Sequence, residues 1–307
     1  MTRPEFHIHR ARVRDTLSLA YLHEGRGGYP LLLVHGWPET KRIWWRNIAP
    51  LAAAGFEVIA PDLRGFGDSD LAPDGFYDLA THARDLHALV DGVLGHRHCA
   101  AVAGDLGGPI VADLALRFPG FVERLCLFNT VTPYLPDAYT AAGIEAQPPR
   151  AARLATDYFI RQATDADGLA AELDTPERRR RYIADFYGHR FWSGPGGFEA
   201  EDVEHMTEPF ADGGKFRASI ANYEYAAGRR PAAEPPRFFE PVPVPTLILY
   251  GPEDHVVPAD FPRRAAIAFP EHIGPFTVAG AGHFLQWEAA GVLNQALRYF
   301  LADRLLR

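Results

Sequence analysis

Short apolar runs, each ending in a glycine- or proline-rich break, recur through the first part of the chain and return near its end. Pro30-Leu-Leu-Leu-Val34, Phe56-Glu-Val-Ile-Ala60, the run from Cys99 to Ala103 and Arg124-Leu-Cys-Leu-Phe128 are almost continuously apolar or small. That pattern predicts strands buried on both faces of a parallel sheet. Between them, Trp44 to Ala54, Tyr77 to Leu94 and Pro109 to Phe118 carry apolar residues at helical spacing, with Ile110, Val111, Leu114 and Phe118 on one face. Ahead of the first buried strand, His7 to Val13 alternates and Leu17 to Leu22 follows a charged turn at Arg14-Asp15. An antiparallel hairpin is expected there, with His7 and His9 on its surface. Strands alternating with helices predict an α/β fold, a mostly parallel sheet with helices on both faces.

The rhythm stops near Pro133. From Tyr134 to about Pro236 strand signals vanish in favour of helical patches rich in alanine, arginine and aromatics. The pattern resumes at Val244 to Tyr250, continues through Phe276-Thr-Val278 and closes with a helix from Gly291 to Leu306. The chain therefore divides into a core of residues 1–133 and 237–307 and a helical cap of residues 134–236, inserted where it would cover the break after the Cys99 strand. Within the cap, Glu177-Arg-Arg-Arg-Arg181 follows Thr175-Pro176, a good helix start, and reads as a solvated helix face. The proline-rich stretch from Arg230 to Pro245 reads as a connector back to the core.

Composition narrows the classes. A hydrophobic content of 47% in 307 residues supports a large core, and a formal net charge of -8 speaks against nucleic acid. Cys99 and Cys126 sit in apolar strands and read as buried free thiols, suiting a reducing compartment. The start Met-Thr-Arg-Pro-Glu-Phe lacks a signal peptide's apolar core, and no apolar run has spanning length, so a cytoplasmic protein with no membrane partner is expected. No phosphate-cradling glycine pattern and no His/Cys cluster at ligand spacing is found, so no metal, nucleotide or flavin is implied. A homodimer is compatible with everything above.

The break after the Cys99 strand carries the chemistry. Gly104-Asp-Leu-Gly-Gly108 between a strand and a helix has the layout of a nucleophile elbow, with Ala103 and Gly107 small enough to let the turn close around Asp105. An aspartate there can instead cap the helix that follows. As a nucleophile, a carboxylate is poorly suited to esters, because attack on a carbonyl gives a mixed anhydride. Attack on a saturated carbon expels an epoxide oxygen or a halide and leaves a workable ester. Asp254, in Gly251-Pro-Glu-Asp-His, would stand exposed at the same sheet edge, and Ala279-Gly-Ala-Gly-His283 brings His283 to it. The chain order of nucleophile, acid and histidine is that of an α/β-hydrolase triad.

On these residues the sequence resembles the epoxide hydrolases of the α/β-hydrolase fold, relatives of the haloalkane and fluoroacetate dehalogenases. The resemblance runs through His35-Gly-Trp-Pro-Glu39, Asp62-Leu-Arg-Gly-Phe-Gly-Asp-Ser69, Gly104-Asp-Leu-Gly-Gly108, Gly251-Pro-Glu-Asp254 and Gly282-His-Phe-Leu-Gln286. It implies an eight-stranded, mostly parallel sheet with a helical lid, and a hydrophobic epoxide and water as reactants, with no cofactor. Two lid tyrosines would hold and protonate the epoxide oxygen. The segments around Asp157-Tyr-Phe-Ile-Arg-Gln162 and Lys215 to Tyr223 assign them as Tyr158 and Tyr223, with Tyr182, Tyr187 and Tyr225 as competitors. Backbone N–H groups of Trp37 and Leu106 would form the oxyanion hole. His35, Pro38 and Glu39, with the lid aromatics Phe159 and Trp192, are expected along the substrate pocket, Glu39 helping to position the hydrolytic water.

Leu106 departs from the family pattern, in which tryptophan often follows the nucleophile. In haloalkane dehalogenases that indole helps hold the halide, and fluoroacetate dehalogenases place arginines after the nucleophile; Leu106 and Pro109 supply neither. The expected activity is conversion of an epoxide to a vicinal diol through an ester on Asp105. The alternatives are a dehalogenase using the same aspartate, a non-catalytic ligand receptor on the same fold and an unusual ester hydrolase.

Overall fold

The computed structural model describes residues 5–14, 16–147 and 153–305. Asp15 of the expected hairpin turn and Leu306 at the end of the expected last helix lie outside the described residues. Strands β1 (His9–Arg14), β2 (Leu17–Glu24), β3 (Tyr29–Val34), β4 (Phe56–Pro61), β5 (Cys99–Asp105), β6 (Val122–Thr130), β7 (Thr246–Tyr250) and β8 (His272–Thr277) form one eight-stranded sheet. Its order is β1-β2-β4-β3-β5-β6-β7-β8. β1 pairs antiparallel with β2, and β2 with β4; every later pairing is parallel.

The apolar runs are explained by this position. Leu31, Leu32, Leu33 and Val34 of β3, and Val58, Ile59 and Ala60 of β4, expose no surface, because helices cover both faces of the sheet. Truncating any one of these leucines to alanine costs about 2–5 kcal/mol in cores of this kind. Between β6 and β7 the described residues form helices and no strand, among them Tyr158–Thr164, Pro176–Gly188, Gly213–Ser219 and Ala221–Ala226.

Element boundaries shifted where local rules competed. The helix expected from Trp44 divides into a tight turn over Lys41–Trp44 and an α-helix over Ile48–Ala53. Pro50 is the reason, since its missing N–H is tolerated only in a first turn. The helix expected over Tyr77 to Leu94 starts at Leu79, where Asp78 Oδ1 accepts from the Thr81 N–H at 3.0 Å, and widens into a π turn over Ala88–Val93. The arginine run is not wholly a solvated face. Arg178 and Arg180 pair with Asp174 and Glu204, but Arg179 is buried and donates to the carbonyls of Leu173 and Ala211. Cys99 and Cys126 are free and buried, and burial raises both thiols far above their ordinary range.

The loop after β4 locks the loop after β3. Asp62 accepts from the Lys41 backbone N–H at 2.8 Å, from Lys41 Nζ at 2.6 Å and from the Asp68 N–H at 2.8 Å. Gly67, at φ +46°, leaves room for that carboxylate; a Cβ there would stand 2.3 Å from Asp62 Oδ2. Buried Arg64 grips Asp85 through two bonds of 2.6 and 2.7 Å. The glycine-punctuated motif thus holds the backbone that follows Val34 at the carboxyl end of the sheet.

Candidate active site

At the end of β5 the chain turns sharply into the helix Gly107–Arg117, and Asp105 sits at the corner with φ +42°. Non-glycine residues seldom adopt this conformation, and where they do the surroundings must hold it. Here Thr130 Oγ1 donates to the Asp105 carbonyl at 2.6 Å. Close approach requires the glycines on either side: a Cβ on Gly36 would lie 2.5 Å from the Asp105 Cβ, and one on Gly107 would lie 2.6 Å from the Val34 carbonyl oxygen. The strained turn aims the Asp105 carboxylate out of the sheet edge.

Loops after β7 and β8 bring the partners. His283 Nε2 stands 3.3 Å from Asp105 Oδ2, and His283 Nδ1 donates to Asp254 Oδ2 at 2.9 Å. The other Asp254 oxygen accepts from the Val256 and Val257 N–H groups at 2.7 and 3.1 Å. Asp254 therefore lies at the expected sheet edge but is buried, not exposed. Asn129, at the end of β6, ties the two loops together. Its amide donates to the Gly282 carbonyl at 2.7 Å, and its oxygen accepts from the Gly251 N–H at 2.8 Å. Nothing in the sequence analysis pointed to Asn129; a lone buried asparagine ending an apolar strand was the available signal.

Charges in this enclosed space shift one another. Burial alone would lower the His283 imidazole, but the Asp254 and Asp105 carboxylates outweigh it and hold the imidazolium well above its ordinary range. NMR titration of the resting protein is therefore expected to find the His283 midpoint raised above its ordinary value of 6.5; a midpoint at or below that value would contradict this geometry. Buried Glu39 accepts from the Gly36 N–H at 2.6 Å and from Gln286 Nε2 at 2.9 Å. Burial first, and the Asp105 carboxylate second, push its carboxyl up to about 7.

One donor aimed at the Asp105 carboxylate is in place: the Trp37 N–H reaches Oδ1 at 2.7 Å. The Trp37-Pro38 bond is cis. Leu106 directly precedes the helix Gly107–Arg117 and lines the cavity above. That cavity, of about 610 Å³, lies between the sheet edge and the helical insertion. Asp105, Tyr158 and Tyr223 all line it, within walls that are mostly apolar, such as Leu79, Val131, Phe238 and Val257. The Trp37 indole supports both phenols: its ring stacks on Tyr158 at 5.4 Å and meets the Tyr223 ring edge-on at 5.4 Å. Burial, and then Asp105 for Tyr158, raise both phenols far above their ordinary range, so both remain O–H donors. Of the competitors, Tyr187 donates to the Pro38 carbonyl and Tyr182 accepts from Gln162, while Tyr225 lines the cavity farther along and donates to Gly75.

Four expected pocket residues do not line the cavity. His35 is fully buried, with Nδ1 on the Gly36 carbonyl at 2.8 Å and Nε2 accepting from the Leu63 N–H at 3.0 Å, so it braces the loop. Pro38 is buried beneath Tyr187, and Glu39 is consumed by Gly36 and Gln286. Trp192 packs its ring 4.7 Å from His283 and gives its indole N–H to the Ala155 carbonyl. It is a wall for the imidazole, because a ring with no exposed surface cannot meet a ligand. Phe159 does line the cavity and is 40% exposed.

A family model for the alpha/beta hydrolase fold matches residues 29–290. The chain belongs to that family. This α/β hydrolase is 29% identical over 297 residues to the soluble epoxide hydrolase of Corynebacterium sp. (strain C12), covering 95% of this chain and 96% of the relative. The unliganded epoxide hydrolase CorEH superposes with a TM-score of 0.80 at 24% identity, over 99% of this chain and 100% of that one. A haloalkane dehalogenase of Bradyrhizobium diazoefficiens is 38% identical over 135 residues, 43% of this chain and 42% of the relative. The hydrolase is thus similar to epoxide hydrolases over almost its whole length. Among the described residues no helix is long and apolar enough to cross a membrane.

Proposed function

We propose that this hydrolase opens an apolar epoxide to a vicinal diol through an ester on Asp105. The observation that carries the reading is the pair of buried phenols, Tyr158 and Tyr223, lining the same cavity as the carboxylate that His283 faces. Asp105 attacks one epoxide carbon, the C–O bond breaks, and the ring oxygen takes a proton from the tyrosine pair. Alkylation removes the Asp105 charge, so the imidazolium loses much of its support and gives up its proton, which restores the phenol. His283 is then neutral and able to act as a base.

In the second half His283 takes a proton from a water that attacks the ester carbonyl. The oxyanion forms on Oδ1, against the Trp37 N–H already there, with Leu106 N–H as the proposed second donor. Collapse releases the diol and the Asp105 carboxylate, and the proton left on His283 restores the resting enzyme. Residues 134–236 act as the cap that excludes water and shapes the cavity. The indoles of Trp37 and Trp192 donate to Ser219 Oγ and the Ala155 carbonyl, so neither is offered to a halide.

Aryl and alkyl epoxides and haloalkanes, assayed in parallel for diol and free halide, test the reading. Diol without halide is expected, and halide without diol would replace it with dehalogenation. Tyr158→Phe and Tyr223→Phe should each lower the rate of ester formation about 10- to 100-fold, and together by about 10⁴-fold, within the range for general acid catalysis. Pre-steady-state quenching measures this directly. A double variant as fast as wild type would remove the tyrosines from the mechanism.

A further inference from the structure

The three successive backbone N–H groups that carry the histidine are not held by the sheet. Gly282 N–H donates to Glu288 Oε2 at 2.9 Å, His283 N–H to the Trp192 carbonyl at 2.6 Å, and Phe284 N–H to Glu288 Oε1 at 2.9 Å. Glu288 Oε2 also accepts from the Gly194 N–H at 2.6 Å, a residue of the helical insertion 94 positions away. A simple helix cap would account for the bond to Phe284 alone, since Phe284 precedes the short helix Leu285–Glu288. The rest of the arrangement joins the histidine loop to the insertion. Packing is backbone on backbone: a Cβ on Gly282 would lie 2.4 Å from the Gly194 nitrogen, and one on Gly194 would lie 2.5 Å from the Gly280 oxygen.

We propose that Glu288 is the positioning residue of the hydrolytic half-reaction, a carboxylate clamp that seats the His283 backbone against Trp192–Gly194 and so sets the imidazole over the Asp105 ester. The inference rests on the two-step reading above. Ester formation needs Asp105 and the phenols, none of which Glu288 touches, whereas hydrolysis needs the imidazole in register with a water and the ester carbonyl. A displacement of about 1 Å in such an arrangement costs about 10²-fold. Glu288 also bears on the charge of the base: Asp254, Asp105 and Glu39 interact with the imidazolium from the other loops, and Glu288, whose carboxyl burial raises above its ordinary range, interacts with it from its own side. In Glu288→Gln one oxygen becomes an NH₂ donor facing an N–H donor, so the clamp loses a bond and its charge together.

The test uses the full-length wild type, Glu288→Gln and Glu288→Asp, with two readouts. Rapid-quench intact-mass kinetics on an epoxide that wild type turns over should show ester forming in Glu288→Gln within about 2-fold of wild type and decaying about 10- to 100-fold more slowly. kcat and KM should fall together. NMR titration of the His283 ring, which needs no substrate, should find its midpoint lowered in Glu288→Gln and closer to wild type in Glu288→Asp. Equal loss of both steps in proportion to loss of folded protein by circular dichroism would mean a purely structural role and overturn the proposal, as would unchanged decay and an unchanged midpoint. Absence of any ester in wild type would instead overturn the two-step reading, with the ring titration still deciding the clamp.

Discussion

Asp105→Ala is expected to abolish diol formation, lowering kcat/KM by at least about 10⁴-fold and leaving no covalent adduct by intact mass. Losses of this size follow removal of a nucleophile from a unit whose members act together. The protein should nevertheless fold. Asp105 sits at a strained φ of +42°, and its carboxylate adds to the charges crowding the buried Glu39. Removing the carboxylate relieves repulsion on Glu39 while costing the bond from the Trp37 N–H and the ion pair with His283. The thermal midpoint is expected within a few degrees of wild type, and the Glu39 carboxyl should titrate lower than its value of about 7 once the neighbouring charge is gone. Residual turnover above a hundredth of wild type, in protein free of wild-type contamination, would show that another group supplies the nucleophile.

His283→Ala is expected to stop the reaction halfway. One equivalent of epoxide should be captured and the enzyme mass should rise by that of the epoxide, with steady-state turnover down by at least about 10³-fold. The ester is expected to persist because, among the described residues, the neighbouring carboxylates are engaged elsewhere: Glu39 accepts from Gly36 and Gln286, and Asp254 accepts from the Val256 and Val257 N–H groups. The alanine variant leaves the buried Asp254 carboxylate facing a cavity, a costly arrangement. His283→Gln, which keeps a donor near Asp254, separates a folding defect from a chemical one. Both variants should trap the adduct, and wild-type protein should not hold it beyond a single turnover. Rapid loss of the adduct in His283→Gln would show that the ester needs no imidazole for hydrolysis.

Much of this site was legible before any coordinates, for reasons that can be named. Asp105 stood between a buried-strand signal and a helical run, flanked by glycines that only a tight turn explains, and Asp254 and His283 followed apolar runs at the same end of a parallel sheet. Parallel strands force their carboxyl ends to one edge, so residues far apart in sequence converge without any contact being known. Tyr158 and Tyr223 were harder, because a helical insertion has no sheet to set its register, and Tyr182, Tyr187 and Tyr225 competed nearby. Their placement in the cavity was decided by packing against the Trp37 ring.

The expected pocket residues that do not line the cavity share one property. His35, Pro38, Glu39 and Trp192 lie next to residues that do line the cavity, and adjacency in sequence says nothing of which way a side chain turns once loops pack on each other. Glu288 and Asn129 escaped notice for the complementary reason: each acts by receiving or giving backbone hydrogen bonds across 94 and 122 or more positions, and such bonds leave no local pattern. By itself, then, the sequence determined the alternation of strand and helix, the parallel sheet, the sharp turn at Asp105 and the arrival of Asp254 and His283 at the same sheet edge, all of which follow from short-range sterics and the burial of apolar runs. Only the tertiary structure decided the exclusion of Trp192 from the cavity, the burial of Asp254 and the seating of the histidine loop on the insertion, because each depends on which surfaces meet after the sheet has formed.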